Sequence, residues 1–286
     1  MKERFIRSVG PIAFWLAMLI ATPCSAPAEI TMGVLPRLDP MELYDMFTPL
    51  AEHLSRETGE KVRLVIPKSF DDFKAMMRSN LVDLGFSNPL VYVQIRKERD
   101  IEPLAVASEP KGGTRFRGII IARKDSGIRT IKDLREKKLI FVERDSAGGN
   151  IFQMLTLTRA GLDIRRDFTI LPYAKRHDTV IMAVYNRAAD AGGIREDDLG
   201  KLRGKVDLSQ LTIIAKTDYY SNWPLFAMPR LSKEKAAKIR KALLALTPDS
   251  SKARAIVGPA SLTGFAPISD RDYDLLREAA RLVGAF

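Results

Sequence analysis

The stretch Phe141-Val-Glu-Arg-Asp-Ser-Ala-Gly-Gly-Asn-Ile-Phe152 joins an apolar strand to a helix through a turn of small residues. Its strand half belongs to the run Leu139-Ile140-Phe141-Val142. Its helix half opens with Ile151, Phe152 and Leu155, with Thr158 and Arg159 at the outer edge. Between them, Ser146, Ala147, Gly148 and Gly149 carry the first N–H groups of the helix, which lack intrahelical partners and sit at the positive end of its dipole. An oxyanion is favoured there by geometry and by field. An ordinary serine N-cap, followed by glycines that let strand and helix pack closely, uses the same residues. The stretch alone leaves both readings open.

Outward from it, apolar strands and amphipathic helices alternate. Ile30–Leu35, Val62–Ile66 and Leu84–Phe86 read as strands, with helices expected near Pro40 to Glu57 and Asp71 to Asn80. Leu104–Ala107 and Ile119–Ala122 continue the series, and a second βα run extends from Leu139 to about Leu202. The pattern is that of βα units feeding mostly parallel sheets, and two sheets fit it better than one. Glu109–Arg115 and Asp218–Pro224 punctuate the chain and read as two crossings between lobes. Two or three further helices, across Ser232–Leu246, Ser251–Val257 and Ser269–Leu282, are expected to return and cover the first lobe. The fold class expected is therefore α/β, with two βα lobes joined by two hinge crossings. Lobe 1 takes residues 29–112 and 219–286, and lobe 2 takes residues 113–218. Such a cleft can close around a ligand by hinge motion.

Residues 1–28 stand apart: Lys2, Arg4 and Arg7 precede a charge-free stretch from Ser8 to Ala28 that ends in Ala26-Pro27-Ala28. This is the layout of a cleavable secretory signal peptide, and the expected address is the periplasm. The apolar part is too short for a membrane span and is broken by Pro11 and Pro23. Pro23 before Cys24, the chain's one cysteine, fits a lipid-attachment motif poorly. With Cys24 gone after cleavage, no disulfide or thiol chemistry is expected, and with His53 and His177 the only histidines, no His- or Cys-built metal site and no cofactor. The chain carries a formal charge of +11, which favours an anionic ligand. Its basic residues are dispersed, without the aromatic-interleaved clusters that grip nucleic acid.

These residues, in this order, resemble the phosphate/phosphite/phosphonate-binding proteins of bacterial ABC transporters, a branch of the type II periplasmic binding proteins. The carriers are Gly33-Val-Leu-Pro36 with Pro40, Phe47–Leu54, Val82-Asp-Leu-Gly-Phe-Ser-Asn-Pro-Leu-Val-Tyr92, Ile121–Gly127, Thr130–Leu134, Phe141–Phe152, His177-Asp178, Ala189–Gly192 and Asn222-Trp-Pro224. The resemblance implies a monomeric periplasmic protein that captures a small oxyanion between its lobes and delivers it to an ABC transporter permease. A sensor subunit of the same fold, docking to a membrane kinase or cyclase, is the alternative.

Carried over residue by residue, the resemblance places ligand contacts at the turn Ser146, Ala147, Gly148 and Gly149, at Tyr92 and at His177, with Phe70 at an aromatic position facing the ligand. The chain departs from the pattern in three places. Ala147 and Gly148 lack the hydroxyls of the family's Ser-Thr-Ser-Gly turn, Phe70 lacks one too, and Trp223 stands where an acid commonly precedes the proline. Arg195, just past a strand end, is a further candidate able to supply charge that the hydroxyls no longer provide. Ser146, His177 and Asp178 are the residue types of a hydrolase triad, but Ser146 is not in a Gly-x-Ser-x-Gly elbow, and adjacent helix residues point about 100° apart. No enzyme activity is expected.

Overall fold

The computed structural model describes residues 29–286, so the expected signal peptide and Cys24 lie outside the described residues. In chain order the strands are β1 (Ile30–Val34), β2 (Val62–Val65), β3 (Leu84–Phe86), β4 (Glu102–Ser108), β5 (Arg115–Phe116), β6 (Gly118–Arg123) and β7 (Lys138–Ile140). They continue with β8 (Thr169–Ile170), β9 (Ala191–Arg195), β10 (Leu211–Lys216), β11 (Tyr220–Ser221), β12 (Pro224–Ala227) and β13 (Gly264–Ala266). The helices are α1 (Pro40–Thr58), α2 (Phe70–Arg78), α3 (Pro89–Glu98), α4 (Phe152–Arg159), α5 (His177–Tyr185), α6 (Glu196–Leu199), α7 (Lys233–Leu244), α8 (Ser251–Val257) and α9 (Asp274–Leu282).

Two sheets form, one per lobe. The first has the order β13-β4-β12-β3-β1-β2 and the second β10-β6-β9-β7-β8. Both are mixed rather than mostly parallel. β1 runs parallel to β2 and β3, and β7 to β8 and β9, but β12 is antiparallel to β3 and β4, and β6 to β9 and β10. The cause is the pair of crossings. β1, β2, β3, β7 and β9 run toward the cleft and release their loops there, whereas β6 and β12 are the first long strands after a crossing. They start at the hinge and must run away from it, so each enters the middle of its sheet reversed. The crossings themselves are stitched together: β5 pairs with β11 antiparallel, and the Asn222 N–H donates to the Thr114 carbonyl at 2.8 Å.

Local chemistry sets the helix ends that face the cleft. Asp39, Ser69 and Asn88 cap α1, α2 and α3 by accepting from backbone N–H groups one turn in, and Pro40 and Pro89 fill first-turn positions where a missing N–H costs nothing. α1 ends at Gly59, which takes the left-handed conformation (φ 77°) that glycine adopts without strain. The lobe 1 core gathers Phe47, Phe86, Phe226, Tyr92 and Tyr273 around β1, β3 and β12, and α7 and α8 pack on α1, covering this lobe. Smaller cores on either face of the second sheet are built from β6 and its neighbours, Ile119 and Ile121 on one side, Ile120 and Phe141 on the other. The joint between lobes is aromatic: Phe152 of α4 stacks on Tyr220 of β11 with centroids 3.9 Å apart, and Phe116 of β5 packs on Phe152.

Candidate functional site

The lobes meet around a small cleft lined from lobe 1 by Arg37, Phe70, Asn88 and Trp223, and from lobe 2 and its hinge by Phe116, Val142, Ser146, Ala147, Gly148, Lys175, His177, Arg195 and Asp198. Most of these residues follow the carboxyl ends of strands: Arg37 after β1, Asn88 after β3, Ser146 after β7, Arg195 at the end of β9 and Asp198 in α6 just beyond it. This is where an α/β sheet offers free loop chemistry. The cleft is shut. Asp145 receives hydrogen bonds from Lys74 and Gln94 on its carboxylate and from Asn88 on its carbonyl, so three lobe 1 side chains close on the residue that precedes the anion turn. The space left between the lobes is small, enough for a ligand of a few heavy atoms.

The turn Ser146–Gly149 opens a helix, as expected, but its first turn Ala147–Ile151 is wound as a π-helix before α4 begins. The Ile151 N–H bonds to the Ser146 carbonyl, and Ser146 Oγ accepts from the Gly149 N–H at 3.2 Å. The N–H groups of Ala147 and Gly148 are left at the open end. The π-turn is held by Gln153, fully buried, whose Nε2 lies 2.8 Å from the Gly148 carbonyl, 3.1 Å from that of Ile119 and 2.9 Å from that of Ile194. Gly149 has its N–H spent on the Ser146 cap and is not among the lining residues, which corrects its expected role as a contact. Its glycine is needed for packing: a Cβ there would lie 2.5 Å from Val142 Cγ2.

Gly148 shows why a hydroxyl is missing from this turn. A Cβ at this position would lie 2.7 Å from the ring of Phe116, so the aromatic occupies the room a serine would need. We expect Gly148→Ser to destabilise the protein by about 1–3 kcal/mol through overpacking. Thermal unfolding checks this, and combining the change with Phe116→Leu should recover most of the loss.

His177 begins α5 and accepts the Arg195 N–H on Nδ1 at 3.1 Å. Burial pushes its pKa down to about 4, against the opposing pull of Asp198 and with help from Arg195, Arg37 and Lys201. The ring is therefore neutral near pH 7, and with Nδ1 occupied as an acceptor its proton sits on Nε2, a donor for a ligand oxygen. Asp178 plays no part in orienting it: that carboxylate is bound by the Arg176 guanidinium and the Thr179 N–H. Phe70 and Trp223 bring apolar surface to the cleft, and the Arg37 guanidinium lies 5.4 Å from the centre of the Trp223 ring.

Tyr92 is not in the cleft, contrary to expectation. It is fully buried in the lobe 1 core against Phe226 and Tyr273, and its hydroxyl donates to Asp270 at 2.7 Å. In α3 it lies one turn beyond Asn88, packed against β12 and the turn Asp270–Tyr273 that leads into α9, so Asn88 is the cleft residue of that segment. We expect Tyr92→Phe to leave ligand affinity unchanged while lowering stability by about 1–2 kcal/mol, a hydrogen bond to a charged group, with Arg277 still holding Asp270. Calorimetric titration and thermal unfolding separate the two effects.

Arg195 lines the cleft but its charge is committed. It is only 5% exposed, it pairs with Glu109 of the first crossing and lies 3.5 Å from Asp197, and its guanidinium stacks on Phe116 at 4.3 Å. Lys175 is paired with Glu143 at 2.9 Å. Arg37 is the opposite case, and the sequence reading did not single it out. Among the described residues its side chain makes no hydrogen bond and no ion pair, although it is half-buried. Burial lowers its pKa, but a guanidinium remains charged at any physiological pH. The only sequence signal was its place directly after Val34-Leu35-Pro36, at the end of the first strand.

A family model described as ABC transporter, phosphonate, periplasmic substrate-binding protein matches residues 32–273. The phosphate-import protein PhnD of Mycolicibacterium smegmatis is 25% identical over 318 aligned positions that cover 100% of this chain and 98% of that protein. The tetrathionate sensor histidine kinase TtrS of Salmonella typhimurium is 22% identical over 228 positions, 74% of this chain but 38% of the kinase. Among solved structures, PhnD1 of Prochlorococcus marinus in complex with methylphosphonate superposes with a TM-score of 0.79 at 18% identity, covering 91% of this chain and 100% of that one.

Proposed function

Because the chain belongs to the phosphonate family of periplasmic substrate-binding proteins of ABC transporters, we propose that its cleft captures a small phosphorus oxyanion and hands it to a membrane permease. The lobes that close on the ligand are residues 29–112 with 219–286, and residues 113–218. The observation that carries the reading is the convergence of an unpaired guanidinium, Arg37, with the Ala147 and Gly148 N–H groups and the Nε2 donor of His177 in one closed cleft. Cation, helix dipole and neutral donors together make an anion site. Phe70, Ser146 and Trp223 complete its wall, the cleft's small volume excludes ligands with long substituents, and we assign the protein no catalytic role. We further read it as an exported monomer that loses residues 1–28.

Thermal unfolding tests this against phosphate, phosphite, methylphosphonate, aminoethylphosphonate, sulfate and small carboxylates. A ligand at a hundred times its Kd stabilises the folded state by about 2.7 kcal/mol, which raises the melting temperature visibly. A shift with a phosphorus oxyanion that is lost in His177→Ala supports the reading, and no shift with any of them defeats it. The similarity to a tetrathionate sensor kinase keeps a second reading, in which this fold reports occupancy to a membrane kinase instead of a permease. A shift with tetrathionate alone would favour it.

A further inference from the structure

We propose that the cleft selects a singly charged oxyanion that still carries a proton, and that Asp198 is the acceptor for that proton; this deepens, and rests on, the reading of the cleft as an oxyanion site. Of the cationic side chains lining the cleft, Arg195 is paired with Glu109, and Lys175 with Glu143, while His177 donates as a neutral ring. Arg37 alone is left over, so one positive charge faces the ligand. A dianion would bring a second negative charge with nothing to meet it.

Asp198 then adds a requirement on the ligand's hydrogen atoms. It is the second residue from the end of the short helix α6, is 7% exposed, and lines the same cleft. Its Oδ1 is 2.7 Å from Lys201 Nζ, which balances its charge. Its Oδ2 is 3.6 Å from His177 Nδ1, beyond hydrogen-bond reach of an atom that is itself an acceptor, and among the described residues no hydrogen bond is donated to this oxygen. Burial alone would raise its pKa, but His177, Lys201, Arg37 and Arg195 outweigh burial and hold it well below the usual carboxylate range. A ligand oxygen carrying a proton satisfies this acceptor, and a bare ligand oxygen meets it as a like charge. A phosphonate monoanion, with one charge and one O–H, matches both features. A sulfonate or sulfate has no proton to give.

Isothermal titration calorimetry of the wild-type protein with methylphosphonate and methanesulfonate, which share a size, tests the inference. A site built to hydrogen-bond a hydroxyl discriminates strongly against an analogue without one, and methanesulfonate is expected to bind at least about 100-fold more weakly. At about pH 9, above the second pKa of the phosphonate, binding measured in buffers of different ionisation enthalpy should take up close to one proton per ligand. The charged and titratable groups that face Asp198 are Arg37 from the loop after β1, His177 from α5, Arg195 at the end of β9, and Lys201 beyond α6. Of these, His177 could itself take up the proton, so His177→Gln must retain the uptake, whereas Asp198→Asn must lose it and bind methanesulfonate at least tenfold better than wild type. Equal affinity of the wild type for the two ligands overturns the inference, as does methylphosphonate binding without proton uptake. So does an aminoethylphosphonate preference above tenfold without uptake, which would assign Asp198 to an ammonium group. These results leave the oxyanion reading standing; binding of neither ligand class would remove both.

Discussion

Arg37→Ala is expected to weaken phosphorus-oxyanion binding by more than about a hundredfold, and to do so without destabilising the ligand-free protein. A hydrogen bond to a charged group contributes about 1.5–3 kcal/mol, and here its loss also leaves the ligand's charge facing Asp198 with no unpaired cation in the cleft, so a total near 3 kcal/mol follows. The second half of the expectation is the sharper one. Arg37 makes no hydrogen bond or ion pair among the described residues and loses solvation by burial, so the empty protein gains little from it. Arg37→Lys should fall between wild type and alanine, because an ammonium keeps the charge but not the planar fork that meets two oxygens at once. Titration calorimetry and thermal unfolding on the three proteins provide the check. An alanine variant that binds normally would transfer the anion to other donors, and one that unfolds early would make Arg37 a structural residue.

Much of this site was legible in the sequence because it is local. The Phe141–Phe152 stretch announces strand, turn and helix by composition alone, and the turn does face the cleft through Ser146, Ala147 and Gly148. Phe70, His177, Trp223 and Arg195 also reach it. What failed depends on contacts distant in the chain. Tyr92 matches a motif position, but whether a helix residue faces cleft or core is set by what packs on it, here Asp270 and Phe226, more than 130 residues away. Whether an arginine is free or committed is equally invisible locally. Arg195 has its charge taken by Glu109, 86 residues upstream, while Arg37 looked like any loop arginine and proved unpaired. The mixed sheets were missed for a related reason. The alternation of strand and helix says nothing about direction, which is fixed by the hinge from which β6 and β12 start.

Glu109→Gln should produce the largest loss of stability among single changes near the cleft, about 3 kcal/mol. It strips the principal counter-charge from an arginine that is 5% exposed, and breaking a buried pair from one side typically costs 3–5 kcal/mol. Asp197, 3.5 Å from Arg195 Nε, and the face of Phe116 soften the loss toward the lower end. The penalty comes from the orphaned charge rather than from the pair as such, so Arg195→Met with Glu109→Gln should be less destabilised than the sum of the two single changes, by 1 kcal/mol or more in a double-mutant cycle. The location of the pair gives the experiment a second consequence. Glu109 stands at the start of the first crossing and Arg195 at the cleft end of β9, so this bond ties the hinge to the wall of the ligand space. Releasing Arg195 adds a second unpaired cation beside Arg37, and the charge inventory then favours a dianion. Glu109→Gln should therefore bind methylphosphonate at about pH 9 with less proton uptake than wild type, while unfolding at a lower temperature. Additive stabilities would deny that the two side chains are coupled, and unchanged uptake would show that Arg195 does not face the ligand even when released.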